Sequence, residues 1–360
     1  MTTDTDLLQR FLFEGAGVRG EFVRLGSSFR ALLDNHDYPP AIARQVGKAL
    51  ASVSLLSATV KLDGSLILQI QGDGQMHTLV AQADSNGAIR GLARWRGDVR
   101  NHNRTLAELA GKGHIVMTID AAGSERYQGI VALHGDSLAE TLREYFVRSE
   151  QLPTRIWLAC EGGLAAGLLL QKLPAGHGSE EAWEHLVTLS DTISGDELLA
   201  LPFRDLLHRL YHQESVRLFD AEPVVFRCSC SREKVERVLI GMGQEEVESI
   251  LAEEGEVRAD CEFCLGKYRF DSVDVAALFA DVRDHAVLLD APGTTAVAQL
   301  RLTSPMLLFP GDRVVLRRPA PVNTFAGGTV LDAHLRRWRR RESSGLNDLP
   351  SGRRGEWAHL

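Results

Sequence analysis

Four of the five cysteines in this 360-residue chain fall between residues 228 and 264. They are spaced as Cys228-x-Cys230, thirty intervening residues, then Cys261-x-x-Cys264. Thiolates are soft ligands, and four of them satisfy tetrahedral zinc with no position left open for a substrate. The expected centre is structural Zn2+ held by Cys228, Cys230, Cys261 and Cys264. A unit of about 45 residues buries little surface, whereas structural zinc supplies about 10–16 kcal/mol of folding free energy in small modules. Oxidation reverses this. Each cysteine pair is close enough in sequence to close a local disulfide, and a loop of three or four residues constrains the unfolded chain by only about 2 kcal/mol. Neither local bond joins residue 230 to residue 261, as a shared metal does. Disulfide sulfurs are poor ligands, so the metal is lost. The arrangement predicts a module that is closed when reduced and unfolds when oxidised.

Other chemistry-bearing residues are weaker candidates. Cys160 sits in an apolar stretch and is expected to be buried and inert. His208 and His212 stand four apart, a metal-capable spacing, but no Glu follows His208 and no third ligand is near; a solvated helix face is expected. Gly15-Ala-Gly17-Val-Arg-Gly20 fits the G-x-G-x-x-G dinucleotide pattern. That pattern needs a helix after it, and Glu21 to Leu25 alternates like a strand, so a turn between strands is expected. The first 180 residues hold no paired-carboxylate, Ser-His or phosphate-loop constellation, and no enzyme activity is expected. Cys261-x-x-Cys264 alone would also suit a thiol–disulfide oxidoreductase. That chemistry favours a helix N-terminus, whereas this pair falls in a loop before a strand.

The elements that must position the cysteines follow from pattern and punctuation. Leu7 to Phe13 and Glu21 to Leu25 are strands. Ala41 to Val60 is a long helix with Ala43, Val46, Leu50, Val53 and Leu56 on one stripe. Leu66 to Ile70, His77 to Ala83 and Ala88 to Ala93 are strands joined at Gly72-Asp-Gly74 and Asn86-Gly87. His114 to Asp120, Tyr127 to Leu133, Thr154 to Cys160 and Leu164 to Leu170 complete a mostly antiparallel set. Ser137 with Glu140 and Ser194 with Glu197 form capping boxes that open helices. Glu180 to Leu189, Glu197 to Leu201 and Phe203 to Tyr211 make a helical connector whose apolar face must dock on something. Ser231 caps a helix carrying Val235, Val238 and Leu239. Val247, Ile250 and Leu251 form a second amphipathic set ended by Gly255, and Lys267 to Phe270 is a strand. The expected fold class is α+β. The expected domains are a core at 1–178, a helical linker at 179–227, the zinc module at 228–281 and an Arg-rich extension at 282–360.

Composition narrows the setting. Apolar content of 44% and charged content of 24% are ordinary for a globular protein. No apolar run reaches the roughly 18 residues of a membrane span. The acidic start is not a secretory signal, so a reducing cytoplasmic compartment is expected, where thiols persist or bind metal. The net charge of −8 weighs against nucleic-acid binding. It is unevenly spread: residues 282–360 carry 12 Arg, no Lys and 7 acidic residues, a net +5, which leaves −13 on the first 281. This shift marks a composite chain.

The cysteine spacing, followed by Tyr268-Arg-Phe270-Asp271, resembles the 33 kDa heat-shock chaperonin family, the redox-regulated holdases. Asp6-Leu-Leu-Gln-Arg-Phe-Leu-Phe13 with Val18-Arg-Gly20 is similar to that family's opening. The likeness covers about residues 5 to 280. It implies an ATP-independent chaperone that binds unfolding client proteins, inactive with zinc and activated by oxidative unfolding, as a homodimer. It further implies that Cys228, Cys230, Cys261 and Cys264 are the ligands and that the disulfides are Cys228–Cys230 and Cys261–Cys264.

The extension does not resemble that family. Ala296 to Leu300, residues 311–317 and residues 327–332 resemble part of the β-barrel domain of the selenocysteine-specific elongation factor, without its GTP-binding domain. Arg336 to Arg341 is expected to be a solvated tail. It also motivates a second reading, a zinc-ribbon RNA-binding or translation-associated protein. The acidic spacer weighs against that: residues 231–260 hold 9 acidic and 4 basic side chains.

Overall fold

The computed structural model describes residues 5–59, 64–100, 104–121, 126–174, 178–280, 285–291, 294–300, 313–319 and 322–332. It divides into two compact units, Met1–Ser229 with Glu262–Leu265, and Cys230–Cys261 with Gly266–Leu360.

The first unit opens with β1 (Leu7–Phe13) and β2 (Val18–Leu25), then α1 (Ser27–Leu33) and α2 (Pro40–Thr59). Strands β3 (Gly64–Gly72), β4 (Met76–Asp84) and β5 (Ala88–Trp95) form a meander. After α3 (Leu106–Ala110) come β6 (Gly113–Ala121), β7 (Tyr127–Ala132) and α4 (Leu138–Tyr145). The hairpin of β8 (Thr154–Glu161) and β9 (Leu164–Lys172) leads into α5 (Glu180–Ser190), α6 (Gly195–Ala200) and α7 (Phe203–Tyr211). Three short strands follow: β10 (Val216–Leu218), β11 (Glu222–Pro223) and β12 (Val225–Phe226).

Two sheets result. One runs β10-β1-β2-β9-β8, with β11 also on β1; the other runs β12-β5-β4-β3-β6-β7. Every pairing is antiparallel except β12 with β5. The turn between β1 and β2 is the glycine-rich segment. Gly17 takes a left-handed φ of 60°, and a Cβ at Gly20 would overlap the Phe11 ring. No helix follows, so these glycines serve a turn and close packing.

Helix α2 departs from the single-stripe expectation. Every residue from Ala49 to Leu56 is buried, while Ala43 is only half-buried. The helix packs against strands of both sheets, so from Ala49 to Leu56 it has no solvent face, and Ser52 and Ser54 return their hydroxyls to the carbonyls of Lys48 and Leu50, both at 2.8 Å. The second apolar face lies on the first sheet, where Phe11, Phe13, Val18, Phe22, Leu168 and Leu170 pack with residues of the connector helices: Trp183, Leu186, Leu198, Phe203, Leu206, Leu210 and Tyr211. This is what the connector's apolar face docks on. Both capping boxes form as the spacing predicts. A third, Thr105 with Glu108, opens α3.

The second unit holds α8 (Arg232–Met242), α9 (Gln244–Glu254), the hairpin of β13 (Val257–Asp260) and β14 (Lys267–Phe270), and α10 (Ser272–Ala280). Its buried core is Leu239, Val247, Val257, Phe270, Val275 and Phe279. Val238, expected on the inner stripe of α8, is 63% exposed; the stripe narrows to Leu239 with half-buried Val235 and Ile240. Strands β15 (His285–Ala291), β16 (Thr294–Leu300), β17 (Arg313–Pro319) and β18 (Val322–Asp332) make an antiparallel sheet in the order β16-β15-β18-β17. Val60, Gly176, His177, Gly311, Asp312 and the run Arg336 to Arg341 lie outside the described residues. Among the described residues no helix is long and apolar enough to cross a membrane.

Candidate metal centre

The first cysteine pair is delivered by the core sheet. Strand β12 pairs with the start of β5, Val225 opposite Ala88 and Phe226 opposite Ile89. The Arg227 N–H then donates to the Ile89 carbonyl at 3.0 Å. Cys228 and Cys230 follow in irregular chain. Ser231 ends it by capping α8, its hydroxyl accepting from the Lys234 N–H.

The thirty-residue spacer is a helical excursion. Gly243 (φ 99°) separates α8 from α9, and Gly255 (φ 79°) closes α9. Both backbones lie in the left-handed region where glycine carries no Cβ penalty. The chain returns through the β13–β14 hairpin, with Asp260 opposite Lys267. The second pair sits in its connection. The Cys261 N–H donates to the Gly266 carbonyl at 2.8 Å, and Leu265 takes φ 54° to close the turn.

One ligand atom from each of Cys228, Cys230, Cys261 and Cys264 lies within 4.8 Å of the others. All four are half-buried. A tetrahedron with metal–sulfur bonds of about 2.3 Å has sulfur–sulfur edges of about 3.8 Å, so the cluster needs little contraction to close on an ion. The donor set is all sulfur, which suits a soft or borderline metal and excludes a hard oxygen-seeking one. The Tyr268 hydroxyl donates to Cys230 Sγ at 3.1 Å, the kind of outer contact that orients a ligand. Among the described residues no other His, Cys, Asp or Glu group has metal-holding geometry.

The weaker candidates fall as expected. His208 and His212 are exposed, their rings 5.9 Å apart, and among the described residues no further ligand joins them. Cys160 is buried in β8. Burial pushes its thiol up to about 12, against the opposing pull of Lys48 and Arg44, so it stays a thiol at neutral pH. Cys261-x-x-Cys264 stands in a turn before a strand, away from any helix N-terminus.

Sequence pattern did not find the outer contacts. Tyr268 was visible as a strand residue and as part of the motif after the cysteines, but not as a partner of Cys230. Arg90 and Arg94, which reach this site from β5, carry no signal in their own neighbourhood, because their partners are more than 130 residues away.

Comparison with known proteins agrees with this geometry. Residues 6–271 match the family model described as Hsp33 protein. Residues 273–337 match that of the selenocysteine-specific elongation factor, beta-barrel domain. The chain is similar to the 33 kDa chaperonin of Nitrosococcus oceani, 51% identical over 276 residues, which is 77% of this chain and 95% of that protein. It is also similar to the 33 kDa chaperonin of Vibrio cholerae, 44% identical over 283 residues, with 76% and 96% covered. The crystal structure of a 33 kDa chaperonin from Thermotoga maritima superposes with a TM-score of 0.67 at 21% identity, covering 76% of this chain and 97% of that one. At that identity the likeness concerns the fold.

Proposed function

The chain belongs to the Hsp33 family of chaperones, and on that premise we propose that it is a redox-regulated, ATP-independent holdase whose resting form is held by zinc. The observation that carries the proposal is the four-sulfur cluster, in which two close pairs are separated by a thirty-residue excursion. Cys228, Cys230, Cys261 and Cys264 are the proposed ligands. When bound, the ion supplies a charge-neutralising cross-link and no reaction chemistry.

The switch resides in the chain's own sulfurs. Cys228 pairs with Cys230, and Cys261 with Cys264. For each disulfide, two thiols give up two electrons and two protons to one hydrogen peroxide, which leaves as two waters. The six buried side chains of the module core must then hold the hairpin and helices without the cross-link. Unfolding there is proposed to spread into the connector that precedes the module in the chain. Its separation from the first sheet would uncover Phe11, Phe13, Phe22 and Phe203, now packed together. Exposed apolar surface of that size binds the apolar surface of unfolding clients.

Residues 1–178 are proposed as the core, 179–227 as the linker, 228–281 as the switch and 282–360 as an appended segment. The cytoplasm supplies the reducing resting state, and the oxidised form is proposed to be a homodimer. The test measures zinc release and light-scattering protection together during peroxide treatment at raised temperature. One zinc per reduced chain, with protection appearing as zinc is released, supports the proposal. Protection by the zinc-loaded form, or zinc content unchanged in the Cys261→Ser, Cys264→Ser variant, refutes it. The match of residues 273–337 to an elongation-factor domain favours the second reading, RNA association, which predicts salt-dependent binding indifferent to redox state.

A further inference from the structure

Strand β5 reaches Cys228 and the turn that carries the second sulfur pair through one arginine. Arg90 and Arg94 stand four apart in the strand, so both project from the same face. The Arg90 guanidinium is fixed first from within the sheet. Its Nε and Nη2 both donate to Gln82 Oε1, at 2.9 and 2.7 Å, across the β4–β5 pair where Gln82 lies opposite Arg90. That leaves Nη1, which points to Cys228 Sγ at 4.0 Å. The same guanidinium covers the Phe263 ring, 4.3 Å from its centroid. Phe263 lies between Cys261 and Cys264. The rest of that turn is held alongside: Arg94 pairs with Glu262, and His36 Nε2 lies 3.2 Å from the Phe263 carbonyl.

Four thiolates around a divalent ion carry a net charge of −2. The spacer between the pairs is acidic, with 9 acidic and 4 basic side chains over residues 231–260, so it worsens that excess. A permanently charged, planar cation that faces one pair and stacks on the residue between the other pair counters it. We propose that Arg90 is a positioning residue for the metal centre: it holds the Cys-Glu-Phe-Cys turn beside Cys228 and offsets the charge of the bound thiolates, thereby slowing their oxidation. This rests on the zinc-switch reading above. With zinc bound, the reactivity of these thiolates toward peroxide would rest on their excess electron density. A cation beside the cluster withdraws some of that density and strengthens the bound state, as outer-shell partners do elsewhere.

The experiment uses the full chain, reduced and loaded with one zinc, as wild type, Arg90→Gln, Arg90→Lys and Phe263→Leu. Zinc retention is read by competition with a chromogenic chelator, and zinc release is followed during peroxide addition. Arg90→Gln is expected to retain zinc about tenfold less tightly and to release it several-fold faster under peroxide. Arg90→Lys restores the charge and is expected to recover most of that loss. Phe263→Leu keeps the charge but loses the stack, and should fall between. If Arg90→Gln matches wild type in both measurements, the proposal is wrong. If Arg90→Lys is no better than Arg90→Gln, the residue acts by packing alone and the charge argument is wrong. A wild type that holds no zinc overturns the zinc-switch reading and this proposal together. A wild type that switches normally beside an unaffected Arg90→Gln overturns this proposal only.

Discussion

Helix α2 and helix α8 are both amphipathic on paper, and the structure treats them differently. Along α2 every side chain from Ala49 to Leu56 is buried, with strands of two sheets packed on it. Along α8 the one buried residue is Leu239, and Val238 and Met242 are exposed. The first unit is held by burial, which is distributed over many contacts and insensitive to any one reagent. The module that starts at residue 228 has a core of six buried side chains and a cluster of four thiols. Stability concentrated in one ligand set can be removed in one chemical step. Stability spread over a core cannot. Under the proposed function, the difference lets one chain combine a part held by a distributed core with a part held by one ligand set.

The largest effect should come from the ligand set. Changing Cys261→Ser together with Cys264→Ser is expected to abolish zinc binding and remove on the order of 10 kcal/mol of metal-linked stability. Hydrogen exchange should show lost protection across α8 and α9 with protection of α2 retained. Comparable loss in α2 would break the comparison.

Next in size is the interface between connector and sheet. Phe203 is buried, 5.0 Å from the Phe22 ring and 5.9 Å from the Phe11 ring, centroid to centroid. Phe203→Ala should cost about 3–5 kcal/mol, and aggregation assays should show client protection without oxidant. Zinc content should stay at one per chain, which separates linker release from loss of the metal.

A third effect belongs to the core alone. Burial pushes the Glu21 carboxyl up to about 8, against the pull of Arg19 and Arg10 and with a small push from Glu222. Its unfolded value is near 4.5, so between pH 4.5 and 8 the folded chain binds a proton that the unfolded chain does not. Stability therefore falls as pH rises through that window. Glu21→Gln should remove the fall, adding on the order of a few kcal/mol at pH 8 and nothing at pH 4. Melting across pH, with zinc retention unchanged, checks it.

The smallest effect should be at Cys160. Its thiol is buried with a pKa raised to about 12, and a Cβ at Gly47 of α2 would overlap its sulfur. Cys160→Ala should leave zinc release and peroxide activation within error of wild type. It should shift stability by about 1 kcal/mol or less. Alkylation of the folded, zinc-loaded chain should spare this thiol.

Local signals served well where a rule is local. The capping boxes at Ser137 and Ser194 and the strand at 267–270 all appear where pattern placed them. Helix α3 was not read from the sequence, although Thr105 and Glu108 have the same capping-box spacing. Nor were the strands β10, β11 and β12. They are two or three residues long and exist because β1 and β5 offer unpaired edges. Buried Arg24 was equally silent. In sequence it is one basic residue of a strand; in the fold it donates to the carbonyls of Leu198 and Leu201 at the end of α6.

The sequence alone determined the chemistry of the four sulfurs. Residue type decides ligand softness, and spacing decides which pairs can close locally, so both follow without coordinates. It also determined the α+β class, because strand and helix periods are written residue by residue. Tertiary structure alone decided which groups surround the sulfurs and which surface the connector covers. Arg90 reaches Cys228 across 138 positions of chain, and Phe203 and Tyr211 of α7 pack on Phe11, Phe13 and Phe22 of β1 and β2 across an even longer stretch. Such contacts are set by how sheets stack and which edges remain open, and no local pattern carries that information.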